Sequence, residues 1–249
     1  MNLDRVIALR NDRTVYRDGD RCIKTFCDGY SKAEVLGEAL NETRAQELGL
    51  LAPTVFAIEM IDGKWAIVSE FVKGRTLAQL LQQTPEKQTE YITSLVELQL
   101  QMHKKTASGF VDLRDKLRGK IAAAPLDDAT RAALQETLAS MPVGTNLCHG
   151  DFQPSNIIVA EDGSLYILDW AQAAQGNALA DAAKTYLLFV LAGDECGGTR
   201  YLDIFSSMGK VDKQDVVRWI PLVAAAQLPM ANERERALLL RYIPTAENS

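Results

Sequence analysis

The sequence predicts an α+β chain in which a small sheet-rich lobe precedes a larger, mainly helical one. Two observations carry this. Three Asp-Gly pairs lie between apolar or β-branched runs. Beyond Gly74, apolar residues recur at helical spacing, interrupted only by the third pair. Asp-Gly accepts the positive φ angles of a tight hairpin turn, so each pair marks a hairpin. With 249 residues, the chain is one large domain or two small ones.

The first hairpin is expected at Asp18-Gly19, between Thr14-Val15-Tyr16 and Cys22-Ile23-Lys24-Thr25-Phe26. Ser31 to Leu50 is rich in Ala, Leu and Glu and reads as a helix. Ser31 with Glu34 forms a capping-box pattern, Gly49 is a stop, and Pro53 forbids continuation. The second hairpin turns at Asp62-Gly63, between Val55 to Ile61 and Trp65 to Phe71, and Val72-Lys73-Gly74 is a short connector. This sets the expected lobes at residues 1–72 and 73–249. In the second, Tyr91, Leu95, Leu98 and Met102 share one helical face. Further helices are expected near 113–124, 127–140, 179–193, 199–208, 212–228 and 231–242. The third hairpin turns at Asp162-Gly163, between Ile157-Ile158-Val159 and Leu165-Tyr166-Ile167-Leu168.

Composition narrows the function. Apolar residues make up 47% and charged residues 24%, as in folded globular chains. The longest apolar run, Ala182 to Ala192, is broken by Lys184 and Thr185 and falls short of the roughly 18 residues a membrane span needs. The first residues carry charges within their apolar stretch and no small-residue cleavage site, unlike a signal peptide. A net charge of −6 argues against nucleic acid as the main ligand and is compatible with a cationic small molecule. Cys22, Cys27, Cys148 and Cys196 form no CxxC pair, and with His103 and His149 they give no zinc spacing. Reduced thiols in a cytoplasmic protein are expected.

The segment Cys148-His149-Gly150-Asp151-Phe152-Gln153-Pro154-Ser155-Asn156 opens the third hairpin, and Asp169-Trp170 closes it. Counting outward from a two-residue turn, Asn156 and Asp169 stand directly opposite each other, about 4.5–5.5 Å apart at Cβ. An amide oxygen beside a carboxylate suits Mg²⁺, which takes hard oxygen ligands and fills its shell with water and phosphate oxygens. Asp151 precedes Asn156 by five residues, in the loop leading to the strand. There a carboxylate can orient a substrate hydroxyl and accept its proton. Singly, each of these residues is more often a cap or turn-former. Their joint spacing describes phosphoryl transfer from a Mg-nucleotide.

HGDFQPSN followed by LDW resembles the HGD-x-x-x-x-N…(I/L)DW signature of the aminoglycoside phosphotransferase family, which also holds choline-kinase-like small-molecule kinases. The resemblance runs from about Thr14 to the end of the chain. It implies a protein-kinase-like two-lobe fold, with a small antiparallel-sheet N-lobe for the nucleotide and a larger mainly helical C-lobe. It implies that Asp151 is the catalytic base, that Asn156 and Asp169 bind Mg²⁺, and that His149 is a structural brace. A strand lysine should contact the phosphates and pair with a helix glutamate; Lys24 fits. Glu42, nearer the helix middle, is the favoured partner, with Glu38 on the same face as the alternative. The Glu70 carbonyl and the Val72 N–H would meet the adenine edge. Ile23, Val68 and Ile167 would wall the base or serve as ordinary core.

The family's glycine-rich phosphate loop is missing: Ala8-Leu9-Arg10-Asn11-Asp12-Arg13-Thr14-Val15 holds no glycine. Arg10 or Arg13 can compensate by charge. Asp181 matches an aspartate that anchors the catalytic segment in the family. Asp194, Glu195, Asp203, Glu233 and Glu235 are acids available to an acceptor, each equally a solvated surface charge. Trp219 is either a stacking platform or core, and His103 reads as a packed interlobe residue. The expected activity is transfer of the γ-phosphoryl of ATP or GTP to a hydroxyl of a small acceptor such as an aminoglycoside, amino alcohol or sugar. No nucleic-acid or membrane partner is expected. The competing reading is a catalytically idle nucleotide-binding regulatory module, motivated by the glycine-free loop. A protein kinase is disfavoured, because only about ten residues follow Asp169-Trp170 before the next helix, too few for a peptide platform.

Overall fold

The computed structural model describes residues 5–10 and 13–244. In chain order it contains β1 (Val6–Arg10), β2 (Arg13–Asp18), β3 (Arg21–Phe26), α1 (Lys32–Glu47), β4 (Val55–Ile61), β5 (Lys64–Glu70), β6 (Gly74–Thr76) and α2 (Leu77–Gln83). Then follow α3 (Gln88–His103), α4 (Leu113–Ala122), α5 (Asp128–Ser140), β7 (Asn146–Cys148), β8 (Ile157–Ala160), β9 (Leu165–Ile167) and β10 (Ala174–Gly176). The remainder is helical: α6 (Ala178–Leu191), α7 (Glu195–Gly209), α8 (Lys213–Val217), α9 (Ile220–Gln227) and α10 (Glu233–Leu240).

The chain packs as two units, Met1–Pro85 with Pro154–Gln172, and Glu86–Gln153 with Ala173–Ser249. The third hairpin, expected from chain order in the helical lobe, thus packs with the first unit. Three anchors hold it there. Strand β6 pairs antiparallel with β8. The Ile167 N–H donates to the Leu51 carbonyl at 2.8 Å. The Asn41 side-chain amide donates to the Trp170 carbonyl at 3.1 Å.

The first unit is built on an antiparallel sheet of order β1-β2-β3-β5-β4. Successive side chains on a strand point to opposite faces. On one face Phe26 and Ile67 pack against Val35 and Ala39 of α1, while Ile23, Ala66 and Val68 form a separate cluster. Helix α1 starts where the sequence indicated. Ser31 accepts from the Glu34 N–H at 3.2 Å and Glu34 returns the bond to the Ser31 N–H at 2.8 Å. At the second hairpin Asp62 and Gly63 adopt φ 49° and 77°, as a turn with two positive φ angles requires. The first hairpin turns one residue later than expected, at Gly19-Asp20, because Asp18 pairs with Arg21.

In the second unit β7 and β10 pair, with Cys148 opposite Ala174. Helices α3, α6 and α7 bury Ile92, Leu95, Met102, Leu187, Tyr201 and Phe205. The single helix expected over 212–228 is two, α8 and α9, because Pro221 lacks an N–H and starts a new helix rather than continuing one. No helix among the described residues is long and apolar enough to cross a membrane.

Candidate active site

The first unit holds a cavity of about 260 Å³, lined by residues from β2, β3, α1, the β5–β6 connector and the third hairpin. Its floor is a row across three strands. Val15 pairs with Lys24, and Lys24 pairs with Ile67. Lys24 Nζ donates to the Glu38 carboxylate and lies 3.1 Å from Asp169 Oδ1. Arg13 reaches the same aspartate, with Nη1 at 3.1 Å from Oδ1 and 3.4 Å from Oδ2, and stands 3.8 Å from Glu38. Two cations and two carboxylates thus interlock on one side of the cavity.

Lys24 therefore meets Glu38, one turn before the favoured Glu42. Glu42 also lines the cavity but is 8% exposed, and burial pushes its carboxyl up to about 8, with the Glu38 charge adding to the effect. Near neutrality Glu42 is protonated and offers no charge to pair. The apolar walls also differ from expectation. Ile23 and Val68 belong to the cluster on the sheet's other face, because odd neighbours of Lys24 point away from it. Ile67 and Leu168 line the cavity instead. Glu70 and Val72 line it at the connector, where Glu70 Oε2 accepts from the Thr54 N–H at 3.3 Å.

The third hairpin corrects the register argument. Its turn contains three residues, Glu161-Asp162-Gly163, with Ala160 N–H donating to the Ser164 carbonyl at 2.9 Å and Gly163 at φ 85°. This is the three-residue loop closed by a left-handed glycine. The ladder shifts by one, pairing Ile157 with Ile167 and Val159 with Leu165. A one-residue slip moves a strand side chain to the other face, so Asn156 faces Leu168, whose N–H donates to the Asn156 carbonyl at 2.8 Å. Asp169 nevertheless lines the same cavity as Asn156. Its backbone leaves the ladder with φ 64°, a left-handed conformation that non-glycine residues rarely adopt. Both residues line the cavity with Asp169 off the ladder and Asn156 ending a 3-10 turn at Pro154–Asn156, not through cross-strand opposition.

The donor set fits Mg²⁺. An amide oxygen and a carboxylate line one cavity beside a lysine, while among the described residues no group of three or more His, Cys, Asp or Glu side chains could hold a metal. Two protein oxygens leave the remaining positions to phosphate and water, as this ion prefers.

Asp151 lies in the second unit, half-buried. Its Oδ1 accepts from Gln153 Nε2 at 3.0 Å. The buried His149 accepts the Asp151 N–H on Nδ1 at 3.2 Å and packs edge-on to Phe152. Gly150 between them has φ 76°, where a side chain would be strained. Asp181 holds this loop: its Oδ1 accepts the Gly150 N–H at 2.7 Å, and its Oδ2 accepts from His103 Nε2 at 2.9 Å and Gln99 Nε2 at 3.2 Å. Burial alone would raise the Asp181 pKa, but the His103 hydrogen bond and charge and the Gly150 amide hold it below the ordinary value. His103 therefore braces Asp181. Trp219 is 3% exposed and is core.

Several of the expected features find other uses or lie elsewhere. Asp194 caps α7 by accepting the Gly197 N–H at 2.8 Å, and Asp203 pairs with Lys213 at 2.5 Å. Glu235 closes a capping box with Asn232 at 3.0 Å. Asn11 and Asp12 of the glycine-free loop, and the Arg10 side chain, lie outside the described residues. The structural role of Arg13 went beyond the sequence signal. Its charge marked it as a candidate, but only the fold brings it to Asp169.

Taken with the antiparallel sheet and the helical remainder, this site defines a protein of the protein-kinase-like fold with the makings of a phosphotransferase. The sequence profile of the phosphotransferase enzyme family matches residues 6–203, and the chain belongs to that family. No curated relative matches by sequence. Among solved structures, a thermostable mutant of aminoglycoside phosphotransferase APH(4)-Ia in ternary complex with AMP-PNP and hygromycin B is similar at TM-score 0.68 and 16% identity, covering 96% of this chain and 90% of that one. Aminoglycoside-3'-phosphotransferase of type VIII is similar at TM-score 0.66 and 17% identity, covering 90% of this chain and 92% of that one. Choline kinase LicA from Streptococcus pneumoniae is similar at TM-score 0.65 and 13% identity, covering 98% and 93%.

Proposed function

We propose that this chain is a small-molecule kinase that transfers the γ-phosphoryl of ATP or GTP to a hydroxyl of a small acceptor. The observation that carries this is the convergence of Lys24, Asn156 and Asp169, from distant parts of the sequence, on one cavity of the first unit. The AMP-PNP complex of a similar structure supports a nucleotide co-substrate.

In this reading Lys24 holds the α/β-phosphates and Glu38 holds Lys24. Asn156 and Asp169 hold Mg²⁺, which when bound neutralises charge on the phosphate oxygens. The Glu70 carbonyl and the Val72 N–H meet the base edge. Asp151 orients the acceptor hydroxyl and takes its proton as that oxygen bonds to the γ-phosphorus. The bond from that phosphorus to the β–γ bridging oxygen breaks, and the nucleoside diphosphate leaves. Asp181 and His149 are positioning residues for Asp151. The free thiols, Cys22, Cys27, Cys148 and Cys196, support a cytoplasmic location.

The test is a panel of hydroxylated small molecules screened for Mg-dependent consumption of ATP and GTP, repeated on Asp151→Asn. Turnover that Asp151→Asn reduces by about 100-fold or more supports the reading. A second reading, an idle nucleotide-binding module, is favoured by one observation: Arg13 and Lys24 both occupy the Asp169 carboxylate on which the metal would sit. Nucleotide binding with no turnover on any acceptor would select it.

A further inference from the structure

Resting on the kinase reading, we propose that the nucleotide cavity continues behind the base into a second compartment, where Glu42 holds a hydroxyl-bearing group carried on the exocyclic nitrogen of an adenine nucleotide.

Strand parity builds one side of the compartment. Cys22 precedes Lys24 by two residues on β3 and so lies on the same face of the sheet. Ser69 pairs with Cys22, as Ile67 pairs with Lys24. The Cys22–Ser69 row is thus one step nearer the β5–β6 connector than the Lys24–Ile67 row, and all four residues line the cavity. Cys22 and Ser69 are both small, so this row leaves room that a larger pair would fill. Burial pushes the Cys22 thiol up to about 11, which keeps it neutral. In the kinase reading the adenine amino group donates one hydrogen to the Glu70 carbonyl. A substituent on the same nitrogen then lies beside Ser69, the preceding residue.

Helix α1 supplies the far side. Glu42 stands one turn beyond Glu38 on the same helix face. One further turn on, the Gln46 amide donates to the Ala52 carbonyl at 2.8 Å and to the Thr54 hydroxyl at 3.3 Å. These bonds fasten Pro53, which lines the cavity together with Glu42. The cavity therefore runs past Lys24 to the segment between α1 and β4. Every residue of this compartment belongs to the first unit.

Glu42 is the residue that points to a ligand. It is buried and lines the cavity, yet no hydrogen bond or ion pair to its carboxyl is found among the described residues. Its helix neighbours differ. Glu38 meets Lys24, the Asn41 amide donates to the Trp170 carbonyl, and the Thr43 hydroxyl donates to the Ala39 carbonyl. Lys24 is already committed to Glu38 and Asp169. A buried polar group without a partner is costly, and a ligand that supplies one removes that cost. Held neutral by burial, the carboxyl donates one hydrogen bond and accepts another, and a hydroxyl offers the complementary pair. The charges of Glu38 and Asp169 both act on Glu42 and disfavour an anionic group in the same place.

The experiment uses the full chain and begins with MgATP and MgGTP binding. Binding of neither removes the kinase reading and this proposal with it. Binding of MgGTP alone leaves that reading standing and overturns the proposal. If MgATP binds, its Kd is compared with those of two analogues, ATP carrying a hydroxyethyl group on the exocyclic nitrogen and ATP carrying a propyl group there. The two substituents match in size. The expected result is a hydroxyethyl Kd within about threefold of that of ATP and at least about fivefold below that of the propyl analogue. Glu42→Leu should bring the two analogues within about twofold of each other and leave the ATP Kd within about twofold. Leucine there replaces a buried carboxyl that lacks a partner, a change the fold tolerates. Ser69→Leu narrows the passage and should weaken both analogues about tenfold or more relative to ATP. A wild type that itself binds both analogues about tenfold or more weaker than ATP has no such compartment, and the proposal falls. Analogues bound alike by the wild type, or a hydroxyethyl preference that survives Glu42→Leu, also overturn it.

Discussion

Lys24 donates to Glu38, and not to Glu42 one turn further along the same helix face. Both carboxyls are nearly buried, so their difference is one of charge. Glu38 faces an ammonium group, whereas burial and its neighbour keep Glu42 protonated up to about 8. The two substitutions therefore separate. Glu38→Gln should raise the nucleotide KM about tenfold or more by loosening Lys24, and Glu42→Gln should change it about twofold at most. Steady-state kinetics on both variants at pH 7 checks this.

Glu42 also predicts a stability profile for the ligand-free protein. Its folded pKa, about 8, lies above the ordinary glutamate value of 4.5, so its ionisation opposes folding. The stability present below the lower value is lost as pH rises through the upper one. Glu42→Gln cannot ionise and should gain on the wild type between those limits, most above pH 8. Denaturant melts from pH 5 to 9 measure the difference.

Arg13, the first residue of β2, lines the cavity and shares Asp169 with Lys24. Metal binding to Asp169 must compete with that guanidinium. Arg13→Gln should lower the half-saturating Mg²⁺ concentration about threefold or more, since removing a cation beside a cation seat relieves repulsion. If Arg13 then serves the phosphates in place of backbone N–H groups, the same variant weakens nucleotide binding. Titrating Mg²⁺ and nucleotide separately resolves the two effects.

Asp181 predicts a different profile. Its folded pKa lies below 3.8, so its contribution is present above that value and is lost as pH falls through the folded pKa. Asp181→Asn should cost about 3 kcal/mol near neutrality, since it breaks a buried, multiply bonded carboxylate. The cost should shrink below pH 4, as chemical denaturation at several pH values would show.

Much of this was legible in the sequence because it rested on local chemistry. The capping box at Ser31 and Glu34 and the Asp62-Gly63 turn each depend on a few adjacent residues, and each appears as read. The family motif likewise located Asn156 and Asp169, which the fold brings to one cavity. The reason given for their meeting was wrong by one register. Asp-Gly closes a three-residue loop as readily as a two-residue one, and the left-handed backbone at Asp169 that repairs the slip has no sequence code. Favouring Glu42 over Glu38, and offering Ile23 and Val68 as base walls, both fail for a related reason. The first turns on burial and the second on strand parity counted from Lys24, and both are settled by packing across the sheet.

The central claim is that the first-unit cavity receives a nucleotide through a metal held on Asp169. Nucleotide Kd measured with Mg²⁺ and with EDTA, on the wild type and on Asp169→Ala, tests it most directly. The account predicts that Mg²⁺ tightens ATP binding to the wild type about tenfold or more and that Asp169→Ala abolishes this gain while the thermal midpoint shows a folded protein. A wild type indifferent to Mg²⁺, or a variant that keeps the full gain, would contradict it.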